Sequence, residues 1–275
     1  MKKEDAHKEM QIATDRLTCC ASFFFRVSLF VLTFLIMSHQ STANKAESDF
    51  LKAGEYYQKL DFANATLLYE ELIKAGHVSS EVYYNLGNCY FKTGQVAYAL
   101  LNYERAKKLA PNDEDIAFNI KISTLKVVDK IEAVPEIFYK RWLKSIASQF
   151  TSDAWTKLFI GSVWMLFIFL SMYLVAASAS IKKFALALVM AFLIITTGIF
   201  AFAQKSHALN YVDQQAIVTT ANVYVKSSPD EKGTDQFIIH EGTRMDVLDE
   251  FEDWKKIKIA NGSVGWLKRS EIEII

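Results

Sequence analysis

The sequence predicts a multidomain membrane protein of three architectures: an all-α solenoid of helix pairs, a transmembrane helical hairpin, and a small C-terminal all-β barrel. Three observations carry this reading. Residues 50–69 match residues 84–103 at a spacing of 34 residues. Two long uncharged apolar runs follow at 158–181 and 184–203. Beyond 210 the pattern changes to short β-rich runs separated by turn signals.

The N-terminal segment, 1–43, reads as a signal peptide. Val27 to Met37 is uncharged, Arg16 and Arg26 precede it, and Ser41-Thr42-Ala43 supplies small residues for cleavage after Ala43. The alternative is an uncleaved anchor over 17–37. Cys19 and Cys20 precede the apolar stretch, whereas a lipidated cysteine would follow it. After cleavage only Cys89 remains, which excludes an intramolecular disulfide. Cys89 then reads as a small buried residue, with a redox-sensing thiol as the alternative.

Residues 44–133 carry the repeat. Phe50, Ala53, Tyr56, Ala65 and Tyr69 recur as Tyr84, Gly87, Tyr90, Ala99 and Tyr103, and Phe118, Asn119 and Ile120 begin a partial third copy. A 34-residue period of this pattern resembles the tetratricopeptide helix pair. In the second copy Tyr83, Leu86, Gly87, Tyr90, Ala99, Tyr103, Ala106 and Pro111 fit that consensus. Gly87 and Ala99 are small where the two helices cross, and Gly94 turns the chain between them. In the first copy Asp61 is read as standing in place of that glycine. Asp113 opens a capping helix over about 113–130, with Asp113, Glu114 and Asp115 at its N-terminus. The resemblance implies that Tyr84, Asn88, Phe91 and Lys92 line a partner-binding groove, and that Asn85 and Asn119 hold the repeats together. Ordinary packing is the alternative for each.

Residues 134–157 form an amphipathic interfacial linker. Ile137, Phe138, Trp142, Ile146, Phe150 and Trp155 recur between Lys140, Arg141, Lys144 and Lys157, which suits a helix at headgroup level. Packing under the repeats is the rival. The runs 158–181 and 184–203 are long enough to cross a bilayer as helices, with Lys182-Lys183 in a tight turn between them. An export signal places both flanking regions outside the cytoplasm. The two lysines of the turn agree with that orientation and the cations of the linker oppose it. The runs contain no charged residue, which argues against an ion or proton pathway.

In residues 210–275, Ala216–Val218, Val223–Val225, Phe237–Ile239, Met245–Leu248, Trp254–Ile259 and Gly265–Leu267 read as strands. Ser228-Pro229-Asp230, Glu241-Gly242 and Asn261-Gly262 read as turns between them. Glu241-Gly242-Thr243, Val247, Trp254, Ile257, Gly262, Gly265 and Trp266-Leu267 resemble bacterial SH3-like (SH3b) domains, an SH3-like barrel. That resemblance implies contact residues Tyr224, Trp254 and Trp266, with cell-wall peptides or proteins as ligands. The alternative is that Trp266 is core and Trp254 a half-buried strand residue.

Residues 44–133 hold 11 basic and 13 acidic side chains, and 210–275 hold 8 and 12, so neither has the basic footprint of a nucleic-acid binder. His7, His39, His77, His207 and His240 lack metal-ligand spacing. There is no phosphate loop and no nucleophile elbow. The reading is therefore a non-enzyme without a cofactor or metal.

The order of signal, helical repeats, two spans and SH3b domain resembles the BatE-type family of Bat (aerotolerance) operons. Tyr83-Tyr84-Asn85-Leu86-Gly87-Asn88 and Tyr103-Glu104-Arg105-Ala106 fit it. The resemblance implies an inner-membrane scaffold with periplasmic domains, in a complex with Bat-type proteins carrying von Willebrand A-type domains. The alternative is a cell-wall sensor binding peptidoglycan.

Overall fold

The computed structural model describes residues 45–135, 137–176, 178–209 and 214–275. The expected signal peptide, 1–43, lies outside the described residues. The chain divides after Lys52. Of the first unit only 45–52 are described, and they are helical. The second unit, Ala53–Ile275, holds the remaining elements.

Helices α1 (45–58), α2 (Phe62–Lys74), α3 (Ser80–Lys92), α4 (Val96–Leu109) and α5 (Glu114–Lys126) follow one another with short turns. Side-chain oxygens of Asp61, Ser79 and Asp113 each accept a backbone N–H in the first turn of the helix they open, as good N-caps do. Asp61 is thus a cap. The position equivalent to Gly94 (φ 81°) is Leu60, which adopts φ 63°. The degenerate copy keeps the left-handed turn with a residue that disfavours it, so the expected substitution of glycine by Asp61 is corrected by one position.

α3 and α4 cross so closely that a Cβ on Gly87 would lie 2.7 Å from the Tyr103 ring. α4 has a second buried face. Ala99, Tyr103 and Ala106 are buried, and so are Ala97, Leu100, Leu101 and Glu104. α5 ends at Lys126, short of the expected 130, because the next residues form an extended strap. Val127 is buried with Ala97, Leu100, Leu101 and Ile217, while Ile131 packs on the core of the sheet.

α6 (Phe138–Ala147) leads into α7 (Ser152–Val175) and α8 (Ala179–His207). α7 and α8, 24 and 29 residues long, each hold an 18-residue stretch of mean hydropathy 2.3 and 2.5 respectively, and are long and apolar enough to cross a membrane. They pair antiparallel. Trp155 stacks on Phe202, Phe159 meets Phe200 and Phe169 meets Phe192, at centroid distances of 4.9–5.5 Å. The turn between the helices falls just after Val175, so Lys182 and Lys183 sit in the first turns of α8. The lysines mark where the apolar run is interrupted, but helix geometry tolerates them and the chain turns earlier. Trp155, expected at the membrane interface, is buried and donates its indole N–H to the Ala147 carbonyl (3.0 Å).

The C-terminal region is a seven-stranded antiparallel sheet: β1 (Gln215–Val218), β2 (Asn222–Lys226), β3 (Asp235–His240), β4 (Arg244–Phe251), β5 (Trp254–Ile259), β6 (Val264–Lys268) and β7 (Ile272–Ile274). The order is β3-β2-β6-β5-β4-β1-β7, and the hydrogen-bonded ladder does not close between β3 and β7. The expected barrel is therefore an open sheet by its pairing. Ile239 of β3 and Ile272 of β7 nevertheless share one apolar cluster with Val223, Val225, Met245, Ile257 and Leu267. Asn261-Gly262 turns β5 into β6, with Gly262 at φ 90°. β7, which has only three residues, was not anticipated.

Candidate functional site

On α3, Tyr84, Asn88, Phe91 and Lys92 recur at i, i+4, i+7 and i+8, which places them along one stripe of the helix. α5 reaches this stripe. Asn119 Nδ2 donates to the Tyr84 hydroxyl (3.1 Å) and to Asn88 Oδ1 (3.2 Å). The Tyr103 hydroxyl also donates to Asn88 Oδ1 (2.7 Å). The Lys126 ammonium lies 4.0 Å from the centre of the Phe91 ring. Tyr84, Asn88 and Phe91 are half-buried and Lys92 is exposed. The stripe is thus braced from one side and accessible on the other. Asn119 ties neighbouring helices together, as the repeat pattern suggests, and Asn85 bonds to Tyr69 in the preceding copy. Burial beneath the stripe pushes the Cys89 thiol up to about 11 and Tyr69 up to about 12.

The sheet presents a second surface. Trp254 pairs with Lys268, Lys256 with Trp266, and Lys226 with Trp266. Cross-strand partners share a face and successive residues alternate. Trp254, Trp266 and Tyr224 therefore lie on one face, opposite the buried Val223, Val225 and Ile257. Lys256 and Lys268 each place an ammonium within 5.9 Å of the Trp266 and Trp254 ring centres respectively. Tyr224 is 54% exposed, Trp266 is half-buried, and Trp254 is only 8% exposed. Most of the Trp254 surface is therefore taken up by packing.

Between the two regions runs a seam that the sequence reading missed. Arg244 on β4 pairs with the buried Glu104 on α4 (2.6 Å). Arg105 donates to the Ile274 carbonyl (2.5 Å) and Lys108 to a main-chain oxygen of Ile275 (2.9 Å). In the strap, the Asp129 carboxylate accepts from the His240 backbone N–H (2.7 Å) and from the Thr243 hydroxyl (2.6 Å). Its other oxygen lies 2.7 Å from His240 Nδ1. Burial raises the Asp129 pKa, but these hydrogen bonds outweigh it and hold the carboxyl below the usual aspartate value. Gly242 has φ 83°, and a Cβ there would come 2.7 Å from Val127. The helices and the sheet are therefore packed into one body. One sequence signal could have found this seam: α4 carries an apolar stripe, Val96, Ala97, Leu100 and Leu101, beyond the stripe facing α3.

Comparison with known families bears on α3 and α4. Residues 80–113 are a tetratricopeptide repeat. The match spans α3, α4 and the turn after them, the copy that the 34-residue period marks as the cleaner one. Such repeats act as surfaces that hold other proteins. A comparison with curated proteins finds no match to this chain.

Proposed function

We propose that this protein is a non-enzymatic scaffold anchored in the bacterial inner membrane by α7 and α8, with the repeat and the sheet both periplasmic. The observation that carries the reading is the α3 stripe Tyr84, Asn88, Phe91 and Lys92, braced by α5 within a tetratricopeptide repeat. The sheet docks on α4 and leaves that stripe to a partner. Two membrane-crossing helices would return the chain to the side it left, and the Glu104–Arg244 and Asp129–His240 contacts support a repeat and a sheet on one side. The partners fitting the BatE-type resemblance are membrane or periplasmic proteins of Bat type, including those with von Willebrand A-type domains. The test is a photo-crosslinking residue at position 92 in native membranes. It should give discrete protein adducts that Tyr84→Ala/Asn88→Ala abolishes. Adducts no stronger than those from a probe at exposed Lys121 would sink the idea.

A second reading, a cell-wall sensor of SH3b type, draws on the shared face of Tyr224, Trp254 and Trp266. Full-length protein in detergent should then be retained by purified sacculi, with Tyr224→Ala/Trp266→Ala reducing retention. Binding unaltered by those substitutions would reject this surface. A reporter fused after Ile275 reads the orientation of both.

A further inference from the structure

We infer that the groove between α6 and the last turns of α8 is a binding site for an anionic phospholipid of the surrounding membrane. The groove has a volume of about 810 Å³. Three lysines line it. Lys140 and Lys144 stand one turn apart on α6, and Lys205 lies two residues beyond the apolar run 184–203 on α8. Among its described lining residues there is no carboxylate. The remaining wall is apolar, with Ile137 just before α6, Leu143 on it, and Phe202 and Leu209 on the α8 side. This combination fits a charged headgroup joined to an acyl chain. A phosphodiester meets the lysines while the chain follows the Phe202 wall onto the apolar surface of the hairpin.

The rest of α6 points to lipid as the occupant. It is a ten-residue helix whose Phe138 is 74% and Trp142 59% exposed, with Tyr139 and Leu143 also exposed. Large apolar side chains at this density, interleaved with Lys140, Arg141 and Lys144, suit the boundary between headgroups and acyl chains. Trp155 fixes α6 to the hairpin through its bond to Ala147 and its stacking on Phe202. The groove is therefore held at the end of the spans where headgroups lie. A soluble acidic peptide would find the cations but would leave the apolar wall facing its polar backbone.

The inference rests on the reading of α7 and α8 as membrane-crossing, and the experiment separates the two. Full-length protein is reconstituted in equimolar phosphatidylglycerol and phosphatidylethanolamine, extracted in mild detergent, and its retained lipids are counted by native mass spectrometry. Wild type should retain phosphatidylglycerol over phosphatidylethanolamine by on the order of tenfold. Lys140→Gln/Lys144→Gln/Lys205→Gln should bring that ratio near one, while Lys182→Gln/Lys183→Gln at the opposite end should leave it unchanged. Leu143→Trp, which fills the groove and keeps the lysines, should also release the lipid. Equal preference in wild type and the triple variant, retention in Leu143→Trp, or displacement by millimolar inorganic phosphate would each overturn the site. Protein that resists alkaline carbonate extraction yet shows no lipid preference defeats the site and leaves the anchor standing. Protein released by carbonate defeats the anchor reading and the site with it.

Discussion

Replacing Asp129 with alanine should loosen the seam between the helical repeat and the sheet. The carboxylate is mostly buried, and it receives the His240 N–H and the Thr243 hydroxyl at 2.7 and 2.6 Å, with His240 Nδ1 2.7 Å from its second oxygen. Each hydrogen bond to a charged group contributes roughly 1.5–3 kcal/mol, and bonds that share one acceptor are not additive. Thr243 is buried, so its hydroxyl would be left unpaired. A total of about 3 kcal/mol follows, or roughly a hundredfold in the opening equilibrium at 1.4 kcal/mol per tenfold. The assay is amide hydrogen exchange on full-length protein in detergent, read on the peptide containing His240, whose N–H is one of the donors. Exchange there should quicken by about that factor, and Asp129→Asn, which keeps one carbonyl acceptor, should show a smaller effect. An Asp129→Ala protein with unchanged helicity and exchange within a factor of two of wild type would refute the reasoning. The pH dependence has a definite sign. The pKa of Asp129 is lowered in the folded state, so its stabilisation is present above the unfolded carboxyl value. It is lost as pH falls through the lower folded value. The seam should hold at neutral pH and weaken only below about pH 4.

Other substitutions probe separate contacts. Gly87→Ala drives a methyl to 2.7 Å from the Tyr103 ring and should cost about 1–3 kcal/mol, seen as a lower melting temperature of the helical signal. Arg244→Ala should destabilise by about 1–2 kcal/mol, because it leaves the buried Glu104 carboxylate without its guanidinium. A double-mutant cycle with Glu104→Ala should recover part of that cost, and strict additivity would count against the pair. Cys89, buried with its thiol pushed up to about 11, should resist iodoacetamide at pH 8 and react only after denaturation, whereas labelling at Cys89 itself in native protein, read by peptide mass, would contradict its place in the core.

Local features were largely legible in the sequence. The 34-residue spacing located α3 and α4, because small residues at 87 and 99 and tyrosines at 90 and 103 report a helix crossing wherever they occur. Asn261-Gly262 marked a true hairpin turn, and all six β-rich runs are strands. Helix ends were less legible. α5 stops at Lys126 because Val127 and Ile131 find apolar partners on α4 and the sheet, a competition with distant chain that no local propensity records. The break between α7 and α8 precedes Lys182 because charge marks a change of solvent and does not itself end a helix. Of the candidate site residues, both sets were named by resemblance to known modules; the helical spacing on α3 and the pairing of β2, β6 and β5 then put each set on one face. That Lys268 comes over the Trp254 ring and that Lys126 caps Phe91 depended on neighbours 14 and 35 positions away.

The sequence by itself determined which stretches are helical repeat, apolar hairpin and strand, since periodicity, hydrophobic length and turn residues act within a few positions of one another. Only the tertiary structure decided that the repeat and the sheet are one body. Glu104 meets Arg244 across 140 positions and Asp129 meets His240 across 111. Such pairs carry no periodic signal, because burial of the second face of α4, not spacing along the chain, brings them together.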